Sequence, residues 1–192
     1  MKIILASASP RRKDLMDLAK FDYEIIPSNF DEKVDINLSF EEQSKEIAYE
    51  KAKDIFDNTQ GDRTIIGADT LVILDQKQLG KPKTREEAIQ MLTNLQGRSH
   101  IVYTSMAILI EKNGELKEYK ELNQTRVWIK KMSLKEIENY VDSENPYDKA
   151  GGYAIQSCFA VFIDKIEGDY ATIIGLPISR VYSILKENDI LE

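Results

Sequence analysis

The chain is poor in the residues that build disulfides and zinc sites. It has one cysteine, Cys158, and one histidine, His100, among 192 residues. A single cysteine forms no internal disulfide, and the paired Cys/His spacing of a zinc site is missing from the sequence. Cys158 adjoins an apolar stretch with no glycine or serine motif around it, so we interpret it as a core thiol rather than a nucleophile. This composition suits a reducing compartment, and we expect a cytoplasmic protein.

Long hydrophobic runs are also lacking. No apolar run approaches membrane-spanning length, and residues 1–9 do not resemble a signal peptide. The net charge of -7 argues against a broad surface for nucleic acid or membrane. We therefore expect neither nucleic acid nor a membrane as a partner. The glycine-rich loops of the two common nucleotide-binding folds are missing as well, which disfavours those folds.

Apolar residues make up 42% of the chain, which is enough for a sizeable core. Their spacing predicts βα units in the first half and hairpins in the second. Strands are predicted at 2–5, 22–26, 64–67 with a continuation at 71–74, 101–110 and 115–129, and a last hairpin pairs 159–163 with 170–174. Helices are predicted at 10–19, 39–56, 84–95 and 133–141 and from 177 onward. Capping boxes are predicted at Ser39, Thr84 and Ser133, and Asn113-Gly114 is a hairpin turn signal. This order predicts an α/β fold with a mixed sheet.

The first dozen residues combine a strand, a turn of small residues and a helix start. Ser9 is a candidate N-cap, and a proline follows it at a position that suits the first helical turn. Next come Arg11, Arg12 and Lys13, although cations are unfavourable at the positive end of a helix dipole. An anion bound there would explain them, so the pattern predicts a phosphate site. A solvated helix start is the alternative.

Three further stretches could carry chemistry. Asp69 lies in an apolar run, and a carboxylate there needs a cleft, a metal or a partner; the alternative is a turn residue after a bend at Gly67. Lys81 follows a glycine and precedes a proline, either as a ligand-binding lysine or in an ordinary surface turn. Residues 148–156 contain paired glycines, which either let the backbone approach a ligand or make a flexible loop.

Taken together, seven stretches resemble the Maf nucleoside triphosphate pyrophosphatases. They are LASASPRR at 5–12, EKAK at 50–53, GADT at 67–70, GKP at 80–82, LQGRSH at 95–100, DKAGGYAIQ at 148–156 and GLP at 175–177. Each stretch alone is weakly specific. In the family's order, and across nearly the whole chain, the set is highly specific.

The resemblance implies a fold and an activity. The fold would be Maf/ITPase-like, an elongated mixed β-sheet flanked by helices, with residues 1–192 as a single domain of two lobes around a central cleft. The activity would be hydrolysis of a nucleoside triphosphate to the monophosphate and pyrophosphate, by metal-assisted attack of water at the α-phosphorus. The implied cofactor is a divalent metal cation, Mg²⁺ or Mn²⁺, and a homodimer is suggested as well.

The same resemblance assigns roles to individual residues. It makes Asp69 the general base and implies Glu32 and Asp69 as metal ligands. The phosphate-binding residues would be Ser7, Arg12, Lys51 and Lys81. The substrate-selecting residues would be Arg11, Thr70 and Gln156, a combination that resembles the branch preferring dTTP and UTP. The chain departs from many relatives at Gly152, Ala154 and Ser157, which bears on base preference rather than on the chemistry.

Two other functions stay open at this point. The family name is tied to septum formation, so one alternative is a non-enzymatic, nucleotide-binding regulator of cell division. The other is a house-cleaning enzyme that removes modified pyrimidine nucleotides. A lone carboxylate such as Asp69 beside a polyanion argues for an enzyme, because a binding module has no need of it.

Overall fold

The computed structural model describes residues 1–32 and 37–191. Its helices are α1 (Pro10–Leu18), α2 (Phe40–Asp57), α3 (Arg85–Leu95), α4 (Leu134–Ser143), α5 (Tyr170–Ile174) and α6 (Ile178–Glu187). Its strands are β1 (Lys2–Leu5), β2 (Glu24–Ile25), β3 (Arg63–Leu74), β4 (Lys77–Leu79), β5 (Ser99–Lys112), β6 (Glu115–Ile129) and β7 (Ile163–Glu167).

The strands form one seven-stranded sheet in the order β2-β1-β3-β5-β6-β7, with β4 paired to β3. Strand β1 runs parallel to β2 and β3, whereas β4 is antiparallel to β3 and β7 is antiparallel to β6. The predicted α/β class with a mixed sheet is thus confirmed. The turn between β5 and β6 is also as predicted, because Asn113 and Gly114 both have the positive φ that a tight hairpin turn requires.

The chain divides into two compact units. The first contains Met1–Asp69, Thr104–Asn123 and Gly175–Glu192, and the second contains Thr70–Tyr103 and Gln124–Ile174. Strands β3, β5 and β6 contribute residues to both units. The single domain of two lobes remains a prediction.

In the first unit, α2 packs against the sheet. A capping box of Ser39 and Glu42 begins the helix, as predicted, and its apolar face lies against β1, β3 and β5. The contact is closest at Gly67, where an added Cβ would lie 2.3 Å from the carbonyl oxygen of Ala48 and 2.8 Å from the amide nitrogen of Ala52. Gly67 stands inside a continuous strand, so its interpretation as a bend was wrong. Glycine is needed there because the helix backbone lies against the strand.

The core of the second unit contains α3, α4 and a cluster of aromatic rings. Phe159 is fully buried, and its ring centroid lies 4.8 Å from those of both Tyr140 and Tyr153. Phe159 belongs to a 3₁₀ helix, Cys158–Phe162, in place of the predicted strand. This helix turns Phe159 inward and leaves Cys158 exposed, where its thiol contacts Glu144 at 3.3 Å. The prediction of a core thiol was therefore wrong.

The predicted hairpin of 159–163 with 170–174 was also wrong. Residues Ile163–Glu167 form β7 on the edge of β6, and Tyr170–Ile174 form helix α5. The carboxylate of Asp169 accepts hydrogen bonds from the backbone N–H groups of Ala171 and Thr172, which is how an aspartate begins a helix. Strand β4 was missed, because its three residues carry too little pattern to be noticed.

Among the described residues, no helix has the length and apolar character needed to cross a membrane.

His100 is buried in the second unit, where its Nε2 is hydrogen-bonded to the hydroxyl of Tyr153 at 2.7 Å. Its Nδ1 has no hydrogen-bond partner among the residues that the structure describes. Burial disfavours the charged imidazolium and lowers the pKa of His100 from 6.5 to about 4. The side chain is therefore neutral at physiological pH.

Replacing Gly67 by alanine tests the contact between α2 and β3. Because the new methyl group would overlap backbone atoms of Ala48 and Ala52, we expect Gly67→Ala to lower the free energy of unfolding by about 3 kcal/mol. Urea denaturation measures the change. The control is Gly80→Ala, where an added Cβ meets no atom within 4 Å. Equal stability of the two variants would contradict the close packing described here.

The pH dependence of stability tests the burial of His100. The unfolded chain binds a proton near pH 6.5 and the folded chain only near pH 4, so the unfolded state holds more protons between these values. We expect the free energy of unfolding of the wild type to fall, relative to His100→Gln, by up to about 3 kcal/mol as the pH drops through this window. Urea denaturation at several pH values measures both proteins. Parallel pH profiles would show that His100 is not buried in the folded state.

Candidate active site

The turn after β1 holds the side chain of Arg12 by two hydrogen bonds. Arg12 Nη1 donates to Ser7 Oγ at 3.1 Å, and Arg12 Nε donates to the carbonyl oxygen of Gly175 at 2.8 Å. Ser7 is buried, and its Oγ also accepts the backbone N–H of Ser9 at 3.2 Å. Two distant parts of the sequence therefore fix the orientation of one guanidinium group.

The three cations at the start of α1 have different surroundings. Lys13 is exposed and pairs with Asp17, one turn along the helix, at 2.9 Å. Arg11 and Arg12 are half-buried. The side chain of Ser9 makes no capping hydrogen bond, although Ser9 does occupy the N-cap position. Lys13 is therefore solvated, as expected at an ordinary helix start, whereas the partial burial of Arg11 and Arg12 is not what a solvated helix start would show.

Lys51 on α2 brings two carboxylates together. Its Nζ lies 2.6 Å from Glu32 Oε1 and 3.3 Å from Asp69 Oδ1. The side chain of Lys51 is 14% exposed and Asp69 is 6% exposed, whereas the side chain of Glu32 is 51% exposed. The backbone of α2 lies directly against Gly67 of β3, and this short distance between helix and strand brings the side chain of Lys51 to Asp69. We call Glu32 and Asp69 the acidic pair.

Arg12 interacts electrostatically with the same carboxylates. Burial lowers the pKa of the Arg12 guanidinium, the charge of Arg11 lowers it further, and the charges of Asp69 and Glu32 oppose the shift. Arginine stays protonated in proteins, so the group contributes a fixed positive charge. Ser7, Arg12, Glu32, Lys51 and Asp69 thus form one charged cluster in the first unit, assembled from the turn after β1, from α1, α2 and β3, and from the loop that carries Glu32.

The oxygens of the acidic pair suit a hard divalent cation. Oδ2 of Asp69 is buried and has no hydrogen-bond partner among the described residues, so one carboxylate oxygen has its hydrogen-bonding capacity unused by those residues. No group of three or more His, Cys, Asp or Glu side chains able to hold a metal occurs in the described part of the chain. Mg²⁺ is commonly bound by one or two carboxylates, with substrate phosphates and water as its other ligands. The two carboxylates fit that kind of site.

Three of the predicted site residues belong to the second unit, whereas Arg11 lies in the first. Thr70 directly follows Asp69 in β3 and is partly exposed. Lys81 is exposed on the loop between β4 and α3, and Gln156 is exposed at the end of the glycine-containing stretch 148–156. The structure therefore groups the predicted residues Ser7, Arg12, Glu32, Lys51 and Asp69, while Thr70, Lys81 and Gln156 belong to another compact unit.

Two of the sequence motifs contact each other within the second unit. The backbone N–H of Gly151 donates to the carbonyl oxygen of Gly80 at 3.0 Å, which joins the glycine-containing stretch to the loop that carries Lys81. Gly151 has a φ of +75°, and a Cβ there would lie 3.1 Å from Val72. A glycine is therefore required for this contact, and the loop is a packed segment rather than a flexible one.

The sequence alone did not identify two contributors to the charged cluster. The carbonyl of Gly175 anchors Arg12, and the missing side chain of Gly67 lets Lys51 approach Asp69. Both glycines lie in stretches that resemble the Maf family, and that resemblance was the signal in the sequence that pointed to them. The role of neither could be deduced, because each acts on a residue that is distant in sequence.

Comparison with known proteins agrees with the sequence resemblance. A family model described as Maf-like protein matches residues 2–188. A dTTP/UTP pyrophosphatase of Thermoanaerobacter sp. (strain X514) is 45% identical, over 97% of this chain and 96% of its own. The dTTP/UTP pyrophosphatase of Caldanaerobacter subterraneus subsp. tengcongensis is 42% identical, over 97% and 88%. That of Bacillus pumilus is 42% identical, over 96% and 95%.

Among solved structures, a HAM1 protein from Coxiella burnetii resembles this chain with a TM-score of 0.52 at 16% identity, covering 97% of this chain and 99% of its own. At that identity the likeness concerns the fold alone, and it agrees with the predicted Maf/ITPase-like class. With the family match over nearly its whole length, the chain belongs to the Maf-like protein family.

Proposed function

We propose that this chain hydrolyses nucleoside triphosphates, preferentially dTTP and UTP, to the nucleoside monophosphate and pyrophosphate. The single observation that carries the proposal is the environment of Asp69. It is a buried carboxylate with one oxygen on Lys51 and the other oxygen without a partner among the described residues. The names of the curated relatives, dTTP/UTP pyrophosphatases at 42–45% identity, support the same activity.

The chemistry is the attack of water on the α-phosphorus. A bond forms between the water oxygen and the α-phosphorus, and the bond from that phosphorus to the oxygen bridging to the β-phosphorus breaks. Pyrophosphate leaves with the bridging oxygen and its electron pair. Oδ2 of Asp69 accepts the proton that the water loses, since it is the carboxylate oxygen without a partner among the described residues.

The positive side chains of the charged cluster oppose the charge of the triphosphate. Arg12 presents a guanidinium that its two hydrogen bonds hold in place, and a planar fork of N–H donors suits phosphate oxygens. Lys51 supplies a second positive charge. Glu32 and Asp69 are the residues that would hold a divalent cation, Mg²⁺ or Mn²⁺. When bound, such a cation supplies Lewis-acid stabilisation of charge on the phosphate oxygens.

Selection of the base rests on residues that the family resemblance assigns, namely Arg11, Thr70 and Gln156. The amide of Gln156 has both a donor and an acceptor, which match the O4 and N3–H of thymine or uracil. Cytosine presents the opposite pattern at these positions. Phosphate binding by Lys81, a homodimer and a cytoplasmic location likewise stay predictions.

Replacing Asp69 by asparagine tests its role as the base. Because a positioned base contributes roughly 10²–10⁴-fold to the rate, we expect Asp69→Asn to lower kcat for dTTP by about that factor while the protein stays folded. Pyrophosphate release, coupled to an inorganic pyrophosphatase and read as phosphate, measures the rate. Asp57→Asn is the matched control, because Asp57 is an exposed aspartate that pairs with Lys53 at 3.5 Å. Turnover of Asp69→Asn within a few-fold of the wild type would remove Asp69 from the mechanism.

A substrate panel tests the base preference. We expect kcat/KM for dTTP and UTP to exceed that for CTP and the purine triphosphates by at least about tenfold. A base whose donors and acceptors do not match those of the site leaves polar groups unpaired, and this weakens binding of the transition state by at least that factor. The variant Gln156→Ala should reduce the ratio of dTTP to CTP, whereas Gln60→Ala, at an exposed position, should not. Equal rates for all nucleotides would contradict the preference. Faster turnover of modified pyrimidine triphosphates than of dTTP would favour the house-cleaning alternative.

A further inference from the structure

Lys51 has an arrangement that a phosphate-binding lysine does not need. Its ammonium group lies within 3.3 Å of an oxygen of each member of the acidic pair, and its side chain is 14% exposed. Lys53, two residues further along the same helix, shows the ordinary alternative, an exposed pair with Asp57 one turn away. The side chain of Lys51 thus contacts the acidic pair, while the side chain of Lys53 lies on the surface.

The acidic pair requires a nearby cation. Two carboxylates that approach one another repel, and a buried carboxylate without a compensating charge is costly. The ammonium of Lys51 supplies that charge in the protein without nucleotide, with Arg12 as a second positive group nearby. A divalent cation would need oxygens of the same two carboxylates. It would also be repelled by an ammonium that stays between them.

We propose that Lys51 is a resident cation, which keeps Glu32 and Asp69 together in the nucleotide-free protein and competes there with a divalent metal. The inference rests on the proposed function, because it treats the acidic pair as the metal-binding residues. It follows that the nucleotide-free protein binds the metal weakly. The triphosphate offers Lys51 a new anionic partner, so its arrival frees the carboxylates, and metal and nucleotide bind cooperatively.

Cooperative binding has a consequence for the unliganded protein. Asp69 is held by the ammonium of Lys51, so its carboxylate stays in place without any metal. A metal that bound tightly by itself would be retained between turnovers, whereas a metal that binds with the nucleotide can leave with pyrophosphate. Lys51 is in this sense a positioning residue for the acidic pair as well as a contact for phosphate.

The test measures Mn²⁺ binding without turnover, from the electron paramagnetic resonance signal of free Mn²⁺. We expect nucleotide-free Lys51→Met to bind Mn²⁺ at least about tenfold more tightly than the wild type, equivalent to about 1.4 kcal/mol. Methionine keeps much of the apolar stem of lysine and removes its charge. Lys51→Arg, which keeps the charge, and the control Lys53→Met should both bind Mn²⁺ as weakly as the wild type. Adding Asp69→Asn to Lys51→Met should abolish the gain.

The wild type gives a second readout that does not depend on a variant. Its Mn²⁺ affinity should rise at least about tenfold when α,β-imido-dUTP, which cannot release pyrophosphate, is present, after subtraction of the Mn²⁺ that the same analogue binds without protein, and this rise should be smaller in Lys51→Met. Micromolar Mn²⁺ binding by the nucleotide-free wild type, or no gain in Lys51→Met, would overturn the inference. If Lys51→Met is unfolded without metal, refolding by Mn²⁺ supports the inference and failure to refold contradicts it. Because these are binding measurements, they are distinct from the pyrophosphate assay that tests the proposed function.

Discussion

The ion pairs between the ammonium of Lys51 and the carboxylates of Glu32 and Asp69 are the constraint on which the charged cluster depends. Breaking the buried pair of Lys51 with Asp69 by removing one partner leaves an uncompensated charge, which costs several kcal/mol. The pairs in turn require α2 to lie directly on β3, and the absent side chain at Gly67 permits this. A packing feature without any chemical group thus decides whether Lys51 reaches the carboxylate that acts as the base in the proposed reaction.

Arg12 is positioned by a different device. Its guanidinium is held by the hydroxyl of Ser7 and by the carbonyl of Gly175, a backbone group more than 160 residues further along the chain. Such fixed donors and charges are effective because they need no rearrangement when charge develops on a substrate. Arg12 is therefore held in place before a substrate binds. Lys51, in contrast, is proposed to exchange its carboxylate partners for phosphate when a polyanion binds.

Features set by neighbouring residues were predicted well. The capping boxes at Ser39 and Ser133 and the hairpin turn at Asn113 each depend on residues within three positions of one another, and all three are present. The capping box predicted at Thr84 is only half formed, because its side chain accepts the N–H of Glu87 but the Glu87 carboxylate accepts from Lys83 instead. The apolar stretches at 159–163 and 170–174 were misassigned. Short apolar runs fit a strand, a helix or a 3₁₀ turn equally well, and packing around Phe159 and capping by Asp169 decided between them.

The sequence by itself determined the family, the α/β class and the identity of the candidate site residues, because motif order and hydrophobic period are properties of the chain. Only the tertiary structure decided which of those residues meet. It paired Lys51 with both carboxylates, gave Gly175 its role as an anchor, and left Cys158 on the surface. The physical reason is that salt bridges and close backbone contacts depend on distances in space, and residues far apart in sequence carry no local pattern that reports those distances.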